Sequence, residues 1–316
     1  MRFLSIIIPS YKRQEILHQT LTSLKIALSN IKEEYEVIIV NDDKSQSIDV
    51  RVKINNLIVF NNPKQGAGSA RNYGAKNASG KYLFFLDNDM ILLPNSLSKL
   101  LAIAPNYKMT CFNLNWVFNP KIPLNIKNSL FYKYLEKFNF TTLKGWYGCT
   151  DNWHEKELIQ VDSLTSQVLL IEKELFELIG GYDEDIPYAG FEDYLFSKKL
   201  RQNNVKMYVY TPVLAYHNEI DNLNITSWLE RKKRGGITRA FAVKKGNTEL
   251  IIKKNKFVHF IYLLAISLKL KNLFFLLLRL LEIAKIDFLY FKFVNLLLGL
   301  YHYEGYIQGL KKNFKV

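Results

Sequence analysis

The sequence predicts an α/β fold: a mostly parallel sheet flanked by helices, with a C-terminal helical extension. Three observations predict it. Apolar runs of strand length alternate with helix-spaced segments through residues 1–93. The strand-like runs there end in polar clusters, where open α/β sheets bind ligands. After Trp228 the composition shifts to a basic, leucine-rich tail.

Leu4 to Ile8 reads as the first strand. The run Phe3 to Ile8 is short and stops at Pro9, so it reads as a strand and not as a secretory signal. Ile16, Leu17, Leu21, Leu24 and Leu28 recur at helical spacing within Glu15 to Leu28. Tyr35 to Val40 is a strand that ends in Asn41-Asp42-Asp43, and Leu57 to Phe60 is a shorter one. The loop Asn61 to Gly68 leads into a helix over Ser69 to Ala78, and Tyr82 to Leu86 is a buried strand. Short links between such elements predict a mostly parallel, helix-covered sheet. From Pro94 to about Tyr147 the pattern is irregular and rich in Asn, Lys and aromatics. Val161 to Ile171 reads as a strand, Glu172 to Ile179 and Phe191 to Arg201 as helices, and Lys206 to Tyr216 as a strand. Gly180-Gly181-Tyr182-Asp183-Glu184 is a turn signal.

The 316 residues are 48% hydrophobic, enough for a substantial core. Cys111 and Cys149 lie far apart and make no metal spacing, which suits free thiols in a reducing compartment. The net charge of +14 is confined to the tail. Residues 231–316 hold 18 Lys and Arg against 4 Asp and Glu, while residues 1–230 balance at 25 of each. Such a segment suits attachment to an anionic membrane surface. Packing on the rest of the chain, or on a second subunit in a homo-oligomer, is the other reading. Lys269, Lys271, Arg279, Glu282, Lys285, Asp287 and Lys292 interrupt its apolar runs well short of the roughly 18 residues a span needs. The tail is leucine-rich and carries no nucleic-acid motif, so nucleic acid is not an expected partner.

Asp87-Asn88-Asp89 directly follows the most apolar strand of the first half. Two acidic groups one residue apart can hold a hard divalent cation, which in turn can hold a diphosphate. Acidic and amide residues are also common where a strand turns into a loop, so position carries this reading. Gly66-Ala67-Gly68 is not a dinucleotide fingerprint, because Arg71 stands where a third glycine would be. The loop instead delivers Arg71 near a helix start, where a guanidinium can pair with phosphate oxygens. Glu192-Asp193 falls in the first turn of a helix. The helix dipole favours carboxylates there, and a general base suits the same place. His217 ends the Met207 to Tyr216 run and becomes a metal ligand only if the fold brings it beside Asp89. Trp146, Tyr147 and Trp153 suit either stacking on an acceptor sugar or ordinary packing.

In this order the motifs resemble the GT-A-fold glycosyltransferases of family 2, whose sheet is Rossmann-like. The resemblance runs from Phe3 to about His217. It rests on Ser5 to Arg13, Tyr35 to Asp43, Asn62 to Gly74, Phe84 to Asp89, Gly180 to Glu184 and Gly190 to Asp193. It implies that Pro9 and Tyr11 line the nucleobase and that Asp42 hydrogen-bonds it. It implies that Arg71 supports the diphosphate, that Asp87 approaches the ribose or the metal, and that Asp89 binds the metal. Asp193 would be the base, with Glu192 beside it, and His217 matches a ligand position of some members. Where the family often has Asp-Asp-Gly-Ser, this chain has Asn41-Asp42-Asp43-Lys44-Ser45, so Asp42 competes with Asp43 for the base contact.

The resemblance implies an inverting transfer of one sugar from a nucleotide-sugar, UDP-hexose for preference, with Mn²⁺ or Mg²⁺. The acceptor would be a glycan or lipid-linked saccharide of a surface polysaccharide. Single transfer is expected because the Gln-x-x-Arg-Trp motif of processive synthases is missing. Residues 1–225 would form the catalytic domain, split into a nucleotide half (1–93) and an acceptor half (94–225). Residues 226–316 would be the extension, and the protein would sit on the cytoplasmic face of the membrane. A nucleotidyltransferase is the alternative enzyme, but it would carry a glycine-rich loop where Pro9 to Arg13 stand. A non-catalytic carbohydrate-binding module at a membrane surface is the alternative without chemistry, and two intact acidic motifs speak against it.

Overall fold

The computed structural model describes residues 3–147, 153, 156–253, 256–268 and 270–312. The chain opens with β1 (Leu4–Ser10), α1 (Gln14–Leu28), β2 (Tyr35–Asn41), β3 (Leu57–Asn61), α2 (Ala67–Asn77) and β4 (Tyr82–Leu86). Next come β5 (Met90–Leu92), α3 (Ser96–Ile103), β6 (Thr110–Phe118), α4 (Leu124–Lys127), α5 (Leu130–Lys137) and α6 (Leu143–Trp146). β7 (Leu158–Gln160), β8 (Val168–Glu172), α7 (Lys173–Leu178), α8 (Glu192–Gln202) and β9 (Lys206–His217) follow. Four longer helices close the chain: α9 (Ile225–Lys244), α10 (Lys256–Ser267), α11 (Leu270–Ile283) and α12 (Asp287–Lys311).

Among the described residues the strands form one sheet in the order β3-β2-β1-β4-β8-β6-β9-β5, with β7 paired to β9. The N-terminal part, β3 to β4, is all parallel, as the alternating pattern predicted. Beyond it the sheet is mixed: β8 runs antiparallel to β4 and β6, and β5 and β7 antiparallel to β9. A strand buried on both faces needs apolar residues throughout, and β4 is buried at every position. Proline costs a central strand a ladder bond. Here the β1–β4 ladder stops at Ile7 and Phe85, before Pro9 is reached.

The segment that reads as irregular contains β6, a nine-residue strand buried almost throughout. Its two asparagines hide it, because they break the apolar pattern while bonding to backbone. Asn113 Nδ2 donates to the carbonyls of Thr165 (2.7 Å) and Val168 (3.0 Å). Asn113 Oδ1 accepts from the Thr165 N–H at 2.8 Å. These bonds hold the chain before β8 by a side chain instead of a ladder. The strand expected over 161–171 is therefore realised only from Val168. Cys111 is a buried free thiol, and Cys149 lies outside the described residues.

The chain divides into two compact units. One comprises Met1–Pro120, Thr141–Glu184 and Glu192–Glu219; the other comprises Lys121–Phe140, Asp185–Phe191 and Ile220–Val316. The second unit thus gathers two segments that precede the boundary expected near residue 225. Within it, α9 and α12 cross so closely that glycine is required. A Cβ on Gly236 would lie 2.0 Å from the His302 carbonyl oxygen, and one on Gly305 would lie 2.0 Å from that of Lys233. Gly235, one residue away, has open space around it. Gly236→Ala should therefore lower stability by about 1–3 kcal/mol through overpacking. Gly235→Ala should be neutral or raise stability by up to about 1 kcal/mol through helix propensity. Urea unfolding of the two variants checks this, and equal midpoints would contradict the close crossing.

Candidate active site

The site grows from the carboxyl end of β4. The turn after that strand is held through its own backbone groups. Asp87 N–H donates to the Gln167 carbonyl (2.9 Å), Met90 N–H to the Asp87 carbonyl (3.2 Å), and Thr20 Oγ1 to the Asn88 carbonyl (2.9 Å). The turn sends the two carboxylates to different cations: Asp87 meets Arg71, and Asp89 meets Arg13.

Arg71 sits in α2. That helix begins after Gly66, whose φ of 132° is a conformation side chains rarely adopt. Asp42, just beyond β2, accepts from Gly66 N–H (2.9 Å) and Asn62 Nδ2 (2.7 Å) and so ties the loop down. Arg71 is only 3% exposed. Its Nη2 lies 2.6 Å from Asp87, its Nη1 3.9 Å from Glu192, and the guanidinium stands over the Tyr182 ring. Burial disfavours its charge, but Asp87, Tyr182, Asp193 and Glu192 outweigh that and hold it firmly protonated. Nε and Nη1 have no hydrogen-bond partner among the described residues, so the fork has donors in reserve.

Glu192 and Asp193 open α8, so both expected carboxylates reach the Arg71 cluster. Asp193 Oδ1 accepts from the Ser166 N–H at 3.1 Å and from the Ser166 hydroxyl. Burial, then the neighbouring Glu192 charge, pushes the Asp193 carboxyl up to about 7, against the pull of Arg71 and Ser166. That value suits an acid–base group working near neutral pH.

Asp89 forms the second cluster. Its Oδ2 lies 2.8 Å from Arg13 Nη1 and 3.5 Å from His217 Nε2. His217 arrives from the end of β9, where Met90 pairs with it across the β5–β9 ladder. Its ring packs edge-on against Trp116 and Phe118, and its Nδ1 has no partner among the described residues. Burial opposes ionisation of Asp89, yet His217 and then Arg13 hold its carboxyl well below the usual range. A carboxylate oxygen and an imidazole nitrogen are donors that would suit a divalent cation. They do not make a protein cage: no three His, Cys, Asp or Glu side chains gather as a metal site among the described residues.

On the nucleobase side, Pro9 is half-buried and Tyr11 is exposed with Lys12 Nζ over its ring. Lys12 and Arg13 both have left-handed backbone (φ 57° and 58°), which turns the loop after β1 toward Asp89. Asp43 bonds Ser45 and is buried, while Asp42 stays half-buried. Of the three aromatics considered for an acceptor, Trp153 is 1% exposed and belongs to the core. Trp146 is 44% exposed and edges Trp116, which in turn touches His217. Arg13, Ser166 and Tyr182 were not singled out by sequence reasoning. Arg13 was legible only as the last residue of a family-like loop, and nothing local marks Ser166.

Residues 5–157 match the sequence model described as "Glycosyl transferase family 2". Residues 5–157 of the chain therefore carry a family 2 glycosyltransferase domain. The chain is 29% identical over 203 residues to an uncharacterized glycosyltransferase of Haemophilus influenzae, covering 63% of this chain and 62% of that protein. It is 33% identical over 106 residues to the poly(ribitol-phosphate) beta-N-acetylglucosaminyltransferase TarP of Staphylococcus aureus, covering 32% of each. It is similar to the crystal structure of S. aureus TarS 1–349 in complex with UDP-GlcNAc, with TM-score 0.50 and 18% identity over 75% of this chain and 66% of that one. This last likeness is one of fold, and the fold is GT-A. The chain spans less than two thirds of the length of the curated relatives it matches. The family match ends before Glu192, Asp193 and His217; the structure sets Glu192 3.9 Å from Arg71 and His217 3.5 Å from Asp89.

Proposed function

We propose that this family 2 protein transfers one sugar, with inversion, from a nucleotide-sugar to a hydroxyl of a glycan or lipid-linked acceptor in surface polysaccharide synthesis. The observation that carries the reading is Asp193: a half-buried carboxylate at the start of α8, held by the Ser166 N–H and next in the chain to Glu192, which faces Arg71. UDP-hexose is the donor class implied by the family resemblance. The name of TarP supports a polymer acceptor, and the two acidic clusters support a diphosphate leaving group.

In this reading Tyr11 and Pro9 flank the nucleobase, and Asp42 accepts its N–H, because Asp43 is occluded by its own turn. Arg71 turns its spare N–H groups toward the diphosphate. Asp89 and His217 would hold a divalent cation, which when bound would neutralise charge on the leaving diphosphate. Asp193 Oδ1 is engaged by Ser166, which leaves Oδ2 for the acceptor hydroxyl. As that oxygen bonds to the anomeric carbon, its proton passes to Asp193 and the bond to the diphosphate breaks on the opposite face. Trp146 offers an apolar plate for the acceptor ring.

Calorimetric titration of UDP tests the nucleotide site. Binding should strengthen with Mn²⁺, weaken with chelator, and lose its metal dependence in Asp89→Ala. Unchanged metal dependence in that variant would move the cation away from Asp89. No UDP binding by the folded wild-type protein would remove the proposed donor class.

A further inference from the structure

α11 is apolar on two opposite faces, and only one is used. Its inner face packs on α12 through Phe274 against Phe293 and also carries the buried Leu278. On the other side Leu273, Leu276, Leu280 and Ile283 recur at intervals of three and four residues, and each is at least half exposed. Phe260 of α10 and Phe288 of α12 are also exposed. Soluble proteins rarely leave such a surface to water.

The charge pattern points to the partner. Exposed Arg279 and Lys292 each lie over an aromatic ring of their own helix, 5.2 Å from Phe275 and 4.3 Å from Phe288. Cations with apolar stems on an apolar surface are the arrangement long basic side chains adopt at a lipid interface. Residues 231–316 carry a net charge of +14. A second copy docking on this face would bring two such segments together, whereas an anionic leaflet complements the charge. No single helix among the described residues is long and apolar enough to cross a membrane. The 14 residues of α11 extend roughly 21 Å, short of a hydrocarbon core of about 30 Å. Residues 259–267 and 270–283 are long and apolar enough only when taken together, and they are bent by 84°. Short helices that bend sharply suit the plane of the interface better than its depth.

We propose that the outer face of α11, flanked by Phe260 and Phe288, docks in the plane of an anionic phospholipid surface. This rests on the exposed face and the charge, not on the transferase reading, and it stands or falls without it.

The test is sedimentation of the full chain with phosphatidylcholine vesicles, with and without phosphatidylglycerol. Wild-type protein should bind the anionic vesicles, bind neutral ones weakly, and be released by salt. Leu276→Gln with Leu280→Gln should weaken anionic binding by about tenfold or more per leucine. Both side chains are exposed, so urea unfolding should match wild type. Lys285→Glu with Lys292→Glu should reduce the preference for anionic vesicles and leave the apolar face intact. Wild-type failure to bind anionic vesicles would overturn the proposal, as would unchanged binding in the leucine variant. Light scattering that shows a wild-type dimer, a monomeric leucine variant and no vesicle binding would also overturn it and assign the face to a second copy.

Discussion

Asp193→Asn is expected to lower turnover by about 10²–10⁴-fold, the usual contribution of a positioned general base. UDP affinity should change little, because Asp193 faces Ser166 and the Arg71 cluster and is not placed to touch the nucleobase. The wild-type rate should rise with pH through about 7, where the carboxyl loses its proton, and the variant should lose that inflection. Stability has the opposite slope. A carboxyl raised to about 7 in the folded state binds a proton that the unfolded chain has already released near its ordinary value of 3.8. Wild-type stability therefore declines as pH rises between these values. The variant escapes that decline and should be the more stable protein at pH 8. Steady-state kinetics and urea unfolding across pH separate the two effects. Wild-type turnover in the variant would exclude Asp193 as the base.

Arg71→Met should unfold far more readily. The buried Arg71 guanidinium stands among Asp87, Glu192 and Asp193, and its removal takes from those carboxylates the cation they share. Breaking a buried ion network from one side costs about 3–5 kcal/mol. The loss should be smaller at pH 6 than at pH 8, since Asp193 is protonated at the lower pH. Adding Asp193→Asn to Arg71→Met should recover part of the stability at pH 8, although each change alone damages activity. Arg71→Lys should recover less of the nucleotide affinity than of the stability, because ammonium keeps the charge and loses the fork. Urea midpoints at the two pH values decide. A shift under ~0.5 kcal/mol for Arg71→Met at pH 8, typical of an ordinary surface change, would show that the cluster needs no cation.

The N-terminal half was legible because its signals are local. β4 (Tyr82–Leu86) ends where its apolar run ends, and α1 follows the leucine spacing from Leu17 to Leu28. The acceptor side was less so. β6 hides behind Asn113 and Asn115, whose partners lie on other segments, at Thr165 and Thr211. β5 is three residues long and is defined by pairing with β9. The site divides the same way. Asp87, Asp89, Arg71 and Glu192-Asp193 each follow a local landmark, a strand end or a helix start. Ser166 carries no landmark, because its contact with Asp193 exists only once 27 residues of chain have folded back. The Arg13–Asp89 pair likewise needs β1 and β4 side by side.

The crossing of α9 and α12 has a consequence for how this chain tolerates change. At Gly236 and Gly305 the interface is specified by the lack of a side chain, and at Gly309 a Cβ would come within 2.7 Å of Ala240 Cβ. No substitution at those positions can be absorbed by repacking, because the obstructing atoms at the first two are backbone. The outer face of α11 obeys a looser rule, since its side chains are half or more exposed. Variation among leucine, isoleucine, methionine and phenylalanine should be nearly free there. Two kinds of information therefore sit side by side in the last helices: positions that accept one residue only, and positions that accept any residue of one character.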